Sequence, residues 1–143
     1  MQTSIMLTIG HALRNVRPGP MLLATSRLSG SLGYALRVSS PAFGDGQPMP
    51  VRFTQDGDSV FPPLRLRGQS PRGYACGRNA LGRPGWTAPT PPPGHGPHRY
   101  AFQVFALDAR PGFPYPPGRA LLMRTIRPHI IAQGRMIGTY ERV

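Results

Sequence analysis

His98 and Tyr100 are the residues of this chain whose types and spacing best suit chemistry. They stand where a loop rich in proline and glycine, Thr87–Tyr100 (TAPTPPPGHGPHRY), runs into the apolar segment Ala101–Leu107 (AFQVFAL). Side chains of an extended chain alternate, so the imidazole and the phenol share one face and Arg99 takes the other. Such a pair suits a small anion. The alternative is that both are packing residues with satisfied hydrogen bonds, and spacing alone favours that alternative.

The loop before His98 is suited to hold a side chain still. Proline fixes φ and removes a backbone donor, so a proline-rich loop loses less entropy when it folds. We therefore expect the loop to position the residues at its junction with the strand.

Composition predicts one globular domain of short strands and long loops. The chain has 143 residues, 39% of them hydrophobic and 15% charged, with 19 prolines and 18 glycines. This length suits a single core. The proline and glycine content is typical of a turn-rich chain and does not fit a helix bundle.

The formal net charge of +12 is carried by arginine alone. All seventeen basic residues are Arg, and they are scattered along the chain. A surface that follows a phosphate backbone usually clusters Lys with Arg. The scatter argues against nucleic acid as the partner, although the charge predicts retention on polyanions at low salt.

Cysteine use and hydropathy predict a cytoplasmic protein without a membrane span. Cys76 is alone, so it cannot form an internal disulfide. No apolar run has the length of a spanning helix. The start, MQTSIMLTIGHALR, lacks the basic beginning and cleavage site of a signal peptide.

Hydrophobic periodicity predicts a mostly β chain. The spacing of Ile5, Ile9 and Leu13 predicts an N-terminal helix, followed by a small polar linker, Thr25–Gly33. Both faces of Ala101–Leu107 are apolar, which predicts an interior strand covered on both sides. The other predicted strands are Tyr34–Ser39, Val51–Thr54, Phe61–Gly68 and Arg135–Tyr140. The other predicted helices are Arg119–Ile126 and His129–Gln133. Turns are predicted at Asp45-Gly46 and Asp56-Gly57.

The motif search favours a protein that is not an enzyme. The chain contains no GxSxG elbow, no P-loop and no dinucleotide-binding glycine pattern. His95 and His98 are too few for a zinc site unless distant His129 or Cys76 joins them. We therefore predict no metal, no cofactor and no catalytic residue.

A resemblance is carried by three blocks of sequence, namely Ser40–Gly68, Gly77–Asp108 and His129–Arg142. They resemble the phosphatidylethanolamine-binding protein family, in its bacterial branch of Raf-kinase-inhibitor-like proteins. Ser40–Gly68 is similar to the family's opening strands and PPL element. Gly77–Asp108 resembles its GPxPPxGxxHRY loop and the strand that follows, and is the most specific match. His129–Arg142 is similar to its C-terminal helix and GTY end. The N-terminal IGHALRNVRPG resembles the leader of some bacterial members.

The resemblance implies an all-β fold, mainly an antiparallel sandwich with short peripheral helices. We expect it as one domain over residues 34–143, after an N-terminal helix and linker over residues 1–33. The resemblance also implies a pocket that accepts phosphate-type anions or phospholipid head groups such as phosphoethanolamine. Carried onto this chain, the ligand-binding residues are Ala88, Pro91, Pro92, His98 and Tyr100.

The chain departs from the family pattern in one block. It contains no Asp-Pro-Asp and no His-Trp. The family would place both between Ser70–Gly73 and Gly77–Asn79, where this chain has only Tyr74, Ala75 and Cys76. Ala88 also stands where the family usually has glycine. The sandwich is therefore expected to be incomplete and the pocket impaired.

Three possible functions follow from the resemblance and from the absence of the Asp-Pro-Asp and His-Trp elements. The first is a non-enzymatic binding protein for small anions or phosphorylated head groups. The second is an eroded family member without ligand binding. The third is a basic adaptor of the kinase-inhibitor type that acts by contact with a protein or a nucleic acid. Exposed apolar strand faces would also allow a homodimer.

Overall fold

Strands make up most of the regular structure. The computed structural model describes residues 36–66, 77–79 and 81–143, together with the backbone of two N-terminal strands. The strands are β1 (Ser4–Ile9), β2 (Leu13–Arg14), β3 (Val38–Ser39), β4 (Arg65–Leu66), β5 (His98–Leu107) and β6 (Ile130–Tyr140). The helices are α1 (Arg119–Ile126) and two single 3₁₀ turns, Val51–Phe53 and Arg127–His129.

β5 is the centre of the sheet. β6 pairs antiparallel with one of its edges, from His98 opposite Tyr140 to Leu107 opposite Ile130, with one irregularity at the Ala106–Leu107 step. β1 and β2 share the other edge, and both are antiparallel to it. β3 and β4 form a separate two-stranded ladder.

Apolar clusters cover both faces of β5. Tyr100 and Phe102 belong to one cluster, which includes Met136 of β6 and Phe43 and Phe53 from the preceding loops. The other face carries a second cluster, whose members are Phe105, Leu107, Met123, Ile126 and Ile130. The prediction of an interior strand covered on both sides is therefore confirmed.

The outer edge of β6 is paired with the segment that runs from residue 36 to residue 49. The amides of Leu36, Gly46 and Met49 donate to carbonyls of β6 at 2.7, 2.7 and 2.8 Å. A Cβ on Gly134 would collide with the carbonyl of Leu36. Glycine is therefore required where this segment crosses the strand.

The N-terminal helix is a wrong prediction. The residues that suggested it lie instead in β1 and β2, which pair with β5. Residues spaced i, i+4 and i+8 also share one face of an extended chain. The edge of β5 that does not pair with β6 needs partners for its backbone N–H and C=O groups, and β1 and β2 supply them. The linker Thr25–Gly33 lies outside the described residues, and so does the boundary between residues 33 and 34.

Two shorter predictions are also wrong. Val51–Phe53 is a 3₁₀ turn and not a strand, and Pro50 stands at its N-terminal cap. The helix predicted over His129–Gln133 is a 3₁₀ turn that ends at His129, followed by β6. In both places a proline, with its fixed φ, favours a single 3₁₀ turn. After Pro128 the chain becomes strand because it pairs with β5.

Other predictions are confirmed. α1 has the predicted bounds, and it buries Met123 and Ile126. Gly46, in the predicted Asp45-Gly46 turn, has φ of 76°. In the described parts of Tyr34–Ser39 and Phe61–Gly68, the strand residues are Val38–Ser39 and Arg65–Leu66. The strand predicted to start at Arg135 begins at Ile130.

Candidate functional site

His98 is the first residue of β5, directly after the proline-rich loop. Its side chain is buried, and Nε2 is closed to solvent. Among the residues that the structure describes, none forms a hydrogen bond with this nitrogen. A buried polar atom without a partner carries a desolvation cost, so it marks a place where a ligand would be favourable.

Tyr100 lies two residues further along β5, on the same face as His98. Its ring is 7% exposed and belongs to the cluster with Phe43 and Met49. Burial, and secondly the nearby Tyr140, raises the pKa of Tyr100 to about 12. The phenol therefore stays neutral at physiological pH and retains its O–H donor.

Gly138 of β6 faces Tyr100 across the ladder. A Cβ at this position would lie 2.5 Å from Cγ of Met49 and 2.9 Å from Cε2 of Phe43. The missing side chain lets the loop with these two residues approach the strand beside Tyr100.

Two backbone hydrogen bonds anchor the proline-rich loop. The carbonyl of Pro89 accepts from the amide of Gln55 at 3.0 Å, and the amide of Gly94 donates to the carbonyl of Arg142 at 2.9 Å. These bonds tie the loop to the turn after Val51–Phe53 and to the C-terminal segment. The loop is thus fixed on two sides, as its composition suggested.

The structure separates the predicted loop residues by burial. Ala88 is 3% exposed and Pro91 is fully buried, whereas Pro92 is exposed. Ala88 and Pro91 therefore belong to the interior of the loop. Pro92 reaches the surface.

His95 was not among the predicted site residues. Its ring lies 6.1 Å from the ring of His98, with 24° between the two planes. His95 is half-buried, and the glycines on either side, Gly94 and Gly96, have φ of 70° and 74°. Sequence analysis weighed this histidine only as a zinc ligand. The flanking glycines were the available signal that the turn presents it.

Trp86 is a second residue that sequence analysis missed. Its indole stacks on Phe102 at 6.3 Å and meets Phe61 edge-on at 5.1 Å. Its Nε1–H is buried and donates to no residue of the described ranges. Trp86 therefore adds a second buried polar atom without a partner among the described residues, on the face of β5 that holds His98 and Tyr100.

Asp56, Tyr140 and Arg142 form a polar cluster beside the loop. The Tyr140 hydroxyl donates to Oδ2 of Asp56 at 2.7 Å, and Nε of Arg142 donates to both carboxylate oxygens at 2.9 Å. The terminal nitrogen of Arg142 also pairs with Oδ1. Hydrogen bonds from Arg142 and then Tyr140 hold the pKa of Asp56 below its usual 3.8. Sequence analysis assigned Asp56 only to a turn.

His129 pairs with Asp108 at the opposite end of β5. Nδ1 of His129 lies 2.9 Å from Oδ1 of Asp108, and both side chains are about half exposed. Within the described ranges, no group of three or more His, Cys, Asp or Glu side chains is arranged to hold a metal ion. No helix among these residues is long and apolar enough to cross a membrane.

Comparison with known proteins assigns the family. The family model described as phosphatidylethanolamine-binding protein matches residues 66–141. This range includes the proline-rich loop, all of β5, α1 and β6. The chain belongs to the phosphatidylethanolamine-binding protein family.

Relatives from archaea and mycobacteria agree with this assignment. The chain is 28% identical over 176 residues to the UPF0098 protein PH1269 of Pyrococcus horikoshii, covering 86% of this chain and 88% of that protein. It is 30% identical over 145 residues to the UPF0098 protein Rv1910c of Mycobacterium tuberculosis, covering 76% and 72%. LppC of the same organism, whose name marks it as a proposed lipoprotein, is 28% identical over 147 residues, covering 74% and 72%.

Solved structures show the fold. The chain is similar to CT736 of Chlamydia trachomatis, described as a proposed family homologue, with a TM-score of 0.68 and 23% identity over 78% of this chain and 100% of that one. It is also similar to YbcL of Escherichia coli, with a TM-score of 0.65 and 18% identity over 76% and 99%. The described residues, which are mostly stranded with one short α-helix, therefore have the fold of these two proteins.

Proposed function

We propose that this chain is a non-enzymatic binding protein for small phosphate-type anions, including phosphorylated head groups. The proposed ligand-binding residues are His98 and Tyr100, with Ala88, Pro91 and Pro92 forming the loop beside them. Membership of the phosphatidylethanolamine-binding protein family supports a binding role.

The observation that carries the proposal is the unsatisfied Nε2 of His98. An imidazole nitrogen that carries a hydrogen donates a hydrogen bond, and Nε2 of His98 is buried without a partner among the described residues. Tyr100, whose pKa is raised to about 12, adds a second donor on the same face that keeps its proton at physiological pH. Hydrogen bonds to an ionised acceptor in a site shielded from water are stronger than those between neutral groups.

The surroundings of His98 support binding without catalysis. In the part of the chain that the structure describes, neither His98 nor His95 forms an ion pair with a carboxylate. The nearby carboxylate, Asp56, is held by Arg142 and Tyr140. Among the described residues, His98 therefore lacks the orienting carboxylate that a catalytic histidine commonly has.

A thermal melt with and without ligand tests the proposal. A ligand that binds only the native state, at a hundredfold excess over its Kd, stabilises it by about 2.7 kcal/mol. We expect phosphate or phosphoethanolamine to raise the melting temperature at fixed ionic strength, and we expect His98→Ala to abolish this rise. His129→Ala is the matched control, because His129 lies at the other end of β5. A rise that persists in His98→Ala would refute the assignment of the site.

A second candidate, an eroded family member that binds nothing, rests on the proposed loss of an internal block. The length of the Pyrococcus alignment supports that loss. It runs over 176 residues, yet 86% of this 143-residue chain is about 123 residues, so about 53 alignment positions lack a residue of this chain. A cooperative melt that is indifferent to every phosphate-type ligand would favour the eroded form.

We also propose a cytoplasmic location. The support is compositional, namely a single cysteine. Cell fractionation of the native organism tests it, and recovery in the membrane fraction would contradict it.

A further inference from the structure

Two loops outside the candidate site carry exposed apolar side chains among exposed arginines. Leu81 is 71% exposed and Tyr115 is 56% exposed, and each lies in a loop. The four arginines in the same loops and at the first residue of α1 are all exposed; they are Arg78, Arg83, Arg110 and Arg119. We refer to these six residues as the loop-tip surface.

The two loops are in direct contact. The amide of Arg78 donates a hydrogen bond of 2.8 Å to the carbonyl of Pro117. A Cβ on Gly77 would lie 2.7 Å from the same carbonyl oxygen. Leu81 and Tyr115 are each within a few residues of this contact along the chain, so both belong to one region of the surface.

Both loops hold their exposed residues in place. Oδ1 of Asn79 accepts hydrogen bonds from the amide of Leu81 at 2.9 Å and from the amide of Arg83 at 3.1 Å. The residues on either side of Tyr115 are prolines, whose φ is fixed. Side chains on such supports lose little backbone entropy when they bind a partner.

The charge on this part of the molecule is positive and uncompensated. Between residues 59 and 140 the sequence has a single acidic residue, Asp108, and its carboxylate is hydrogen-bonded to His129. Within the described ranges, none of the four arginines forms an ion pair. Exposed apolar side chains beside unpaired arginines suit a partner that is anionic and also offers an apolar interior.

We propose that the loop-tip surface docks this protein on anionic lipid bilayers. Tyrosine is enriched at the boundary between membrane and water, and the guanidinium group of arginine binds phosphate with two donors. Single apolar side chains on loop tips suit a bilayer, which adapts its shape to them, whereas a protein partner would need a matching pocket. The attachment is reversible, and a salt wash releases the protein from membranes.

This docking goes beyond the proposed function and does not depend on it. β5 has ten residues, so its ends lie about 30 Å apart. His98 is at one end of the strand, and the loop that carries Tyr115 leaves the other end. A bilayer on the loop-tip surface therefore makes its contacts away from the imidazole of the candidate site.

Co-sedimentation with vesicles at about 0.15 M salt tests the proposal. The vesicles contain phosphatidylcholine, either alone or mixed with phosphatidylglycerol. We expect binding to the anionic vesicles only. Arg83→Gln combined with Arg119→Gln should weaken this binding about 25-fold, because each arginine near an anionic surface contributes a factor of about five. The control combines Arg37→Gln with Arg65→Gln, two exposed arginines at the β3–β4 ladder, and should weaken it less than about threefold.

The apolar contribution is tested separately. Leu81→Ser combined with Tyr115→Ser should weaken binding to the anionic vesicles about tenfold, since both side chains lose apolar surface that the bilayer would cover. Val51→Ser is the control, because Val51 is 52% exposed and lies outside the two loops. In Tyr115→Trp, lipids with brominated acyl chains should quench the new indole more than they quench Trp86 of the wild type, which verifies insertion.

Equal losses in the two arginine pairs would mean that net charge alone attracts the chain to the bilayer, and would overturn the inference. Unchanged binding by the serine pair, or an unquenched indole in Tyr115→Trp, would also overturn it. His98→Ala should bind the vesicles as the wild type does. Loss of binding in His98→Ala would move the contact to the candidate site, which overturns this inference and leaves the proposed function standing. The melting temperature of each variant verifies that it folds.

Discussion

The hydroxyl of Tyr140 donates a hydrogen bond of 2.7 Å to Oδ2 of Asp56, 84 positions earlier in the chain. Arg142 pairs with the same carboxylate, and the backbone carbonyl of Arg142 accepts from Gly94 in the proline-rich loop. One carboxylate therefore fastens the C-terminal segment to the turn at residue 56. The C-terminal segment in turn holds the loop that precedes His98.

Asp56→Asn should destabilise the chain at pH 7 but not in strong acid. The pKa of Asp56 is held below 3.8 in the folded state, so its contribution to stability is present above pH 3.8 and is lost as the pH falls through the folded value. Urea unfolding at pH 7 and in strong acid measures the free energy of unfolding of the variant and of the wild type. Asp58→Asn is the control, because Asp58 is exposed and lies 3.9 Å from Arg52. Equal losses in the two variants at pH 7 would contradict the prediction.

Tyr100 should make the fold sensitive to alkali. Its pKa is raised from 10.0 to about 12, so the folded state retains a proton that the unfolded state releases. The free energy of unfolding should therefore fall as the pH rises from 10 to about 12. Tyr100→Phe should remove this part of the decline, whereas Tyr115→Phe, at an exposed position, should not. Identical alkaline profiles for the wild type and Tyr100→Phe would exclude the effect.

His98→Phe should stabilise the empty protein while it abolishes ligand binding. The unpartnered buried nitrogen costs about 1–3 kcal/mol, and an apolar ring of similar shape removes this cost. We expect the unliganded variant to gain about 1 kcal/mol in the free energy of unfolding. Urea denaturation measures this gain, and the ligand-dependent shift in melting temperature measures binding. A clear loss of stability would show that the imidazole has a partner in the folded chain.

Gly138→Ala should destabilise the chain by about 1–3 kcal/mol through overpacking. The added methyl group would lie 2.5 Å from Cγ of Met49 and 2.7 Å from its sulfur, next to Tyr100. Gly112→Ala is the matched control, since no atom lies within 4 Å of a Cβ at that position. Thermal unfolding compares the two variants. If both variants melt at the temperature of the wild type, the loop that contains Phe43 and Met49 does not contact β6 as closely as the structure indicates.

The elements that the sequence predicted correctly are those whose own pattern of apolar residues indicates their structure. β5 was predictable because both of its faces are apolar, and α1 was predictable because its apolar residues repeat with helical spacing. β1 was missed because its partner, β5, lies far along the chain. The hydrogen bonds that the edge of β5 forms with β1 outweigh the weak helical spacing of the apolar residues in β1. Tertiary pairing also decided the strand after Pro128.

The candidate site was predictable only to the extent that it resembles a family motif. His98 and Tyr100 follow from that motif and from strand alternation. The stacking of His95 on His98 depends on a turn between two glycines, and the carboxylate of Asp56 reaches the C-terminal segment from a distant loop. Neither contact has a periodic signature in the sequence, because both arise from the way in which loops cross the sheet.

The position of β1 also has a consequence for biosynthesis. Ser4 faces Leu107, so the first strand leaves the ribosome about 100 residues before its partner, a delay of about 5–20 seconds at usual rates of translation. β5, α1 and β6 are neighbours in sequence, and all three are made after β1. The nascent protein therefore carries an unpaired β1 until β5 has emerged. Chaperones that shield exposed strands have their greatest opportunity to act on this chain during that interval.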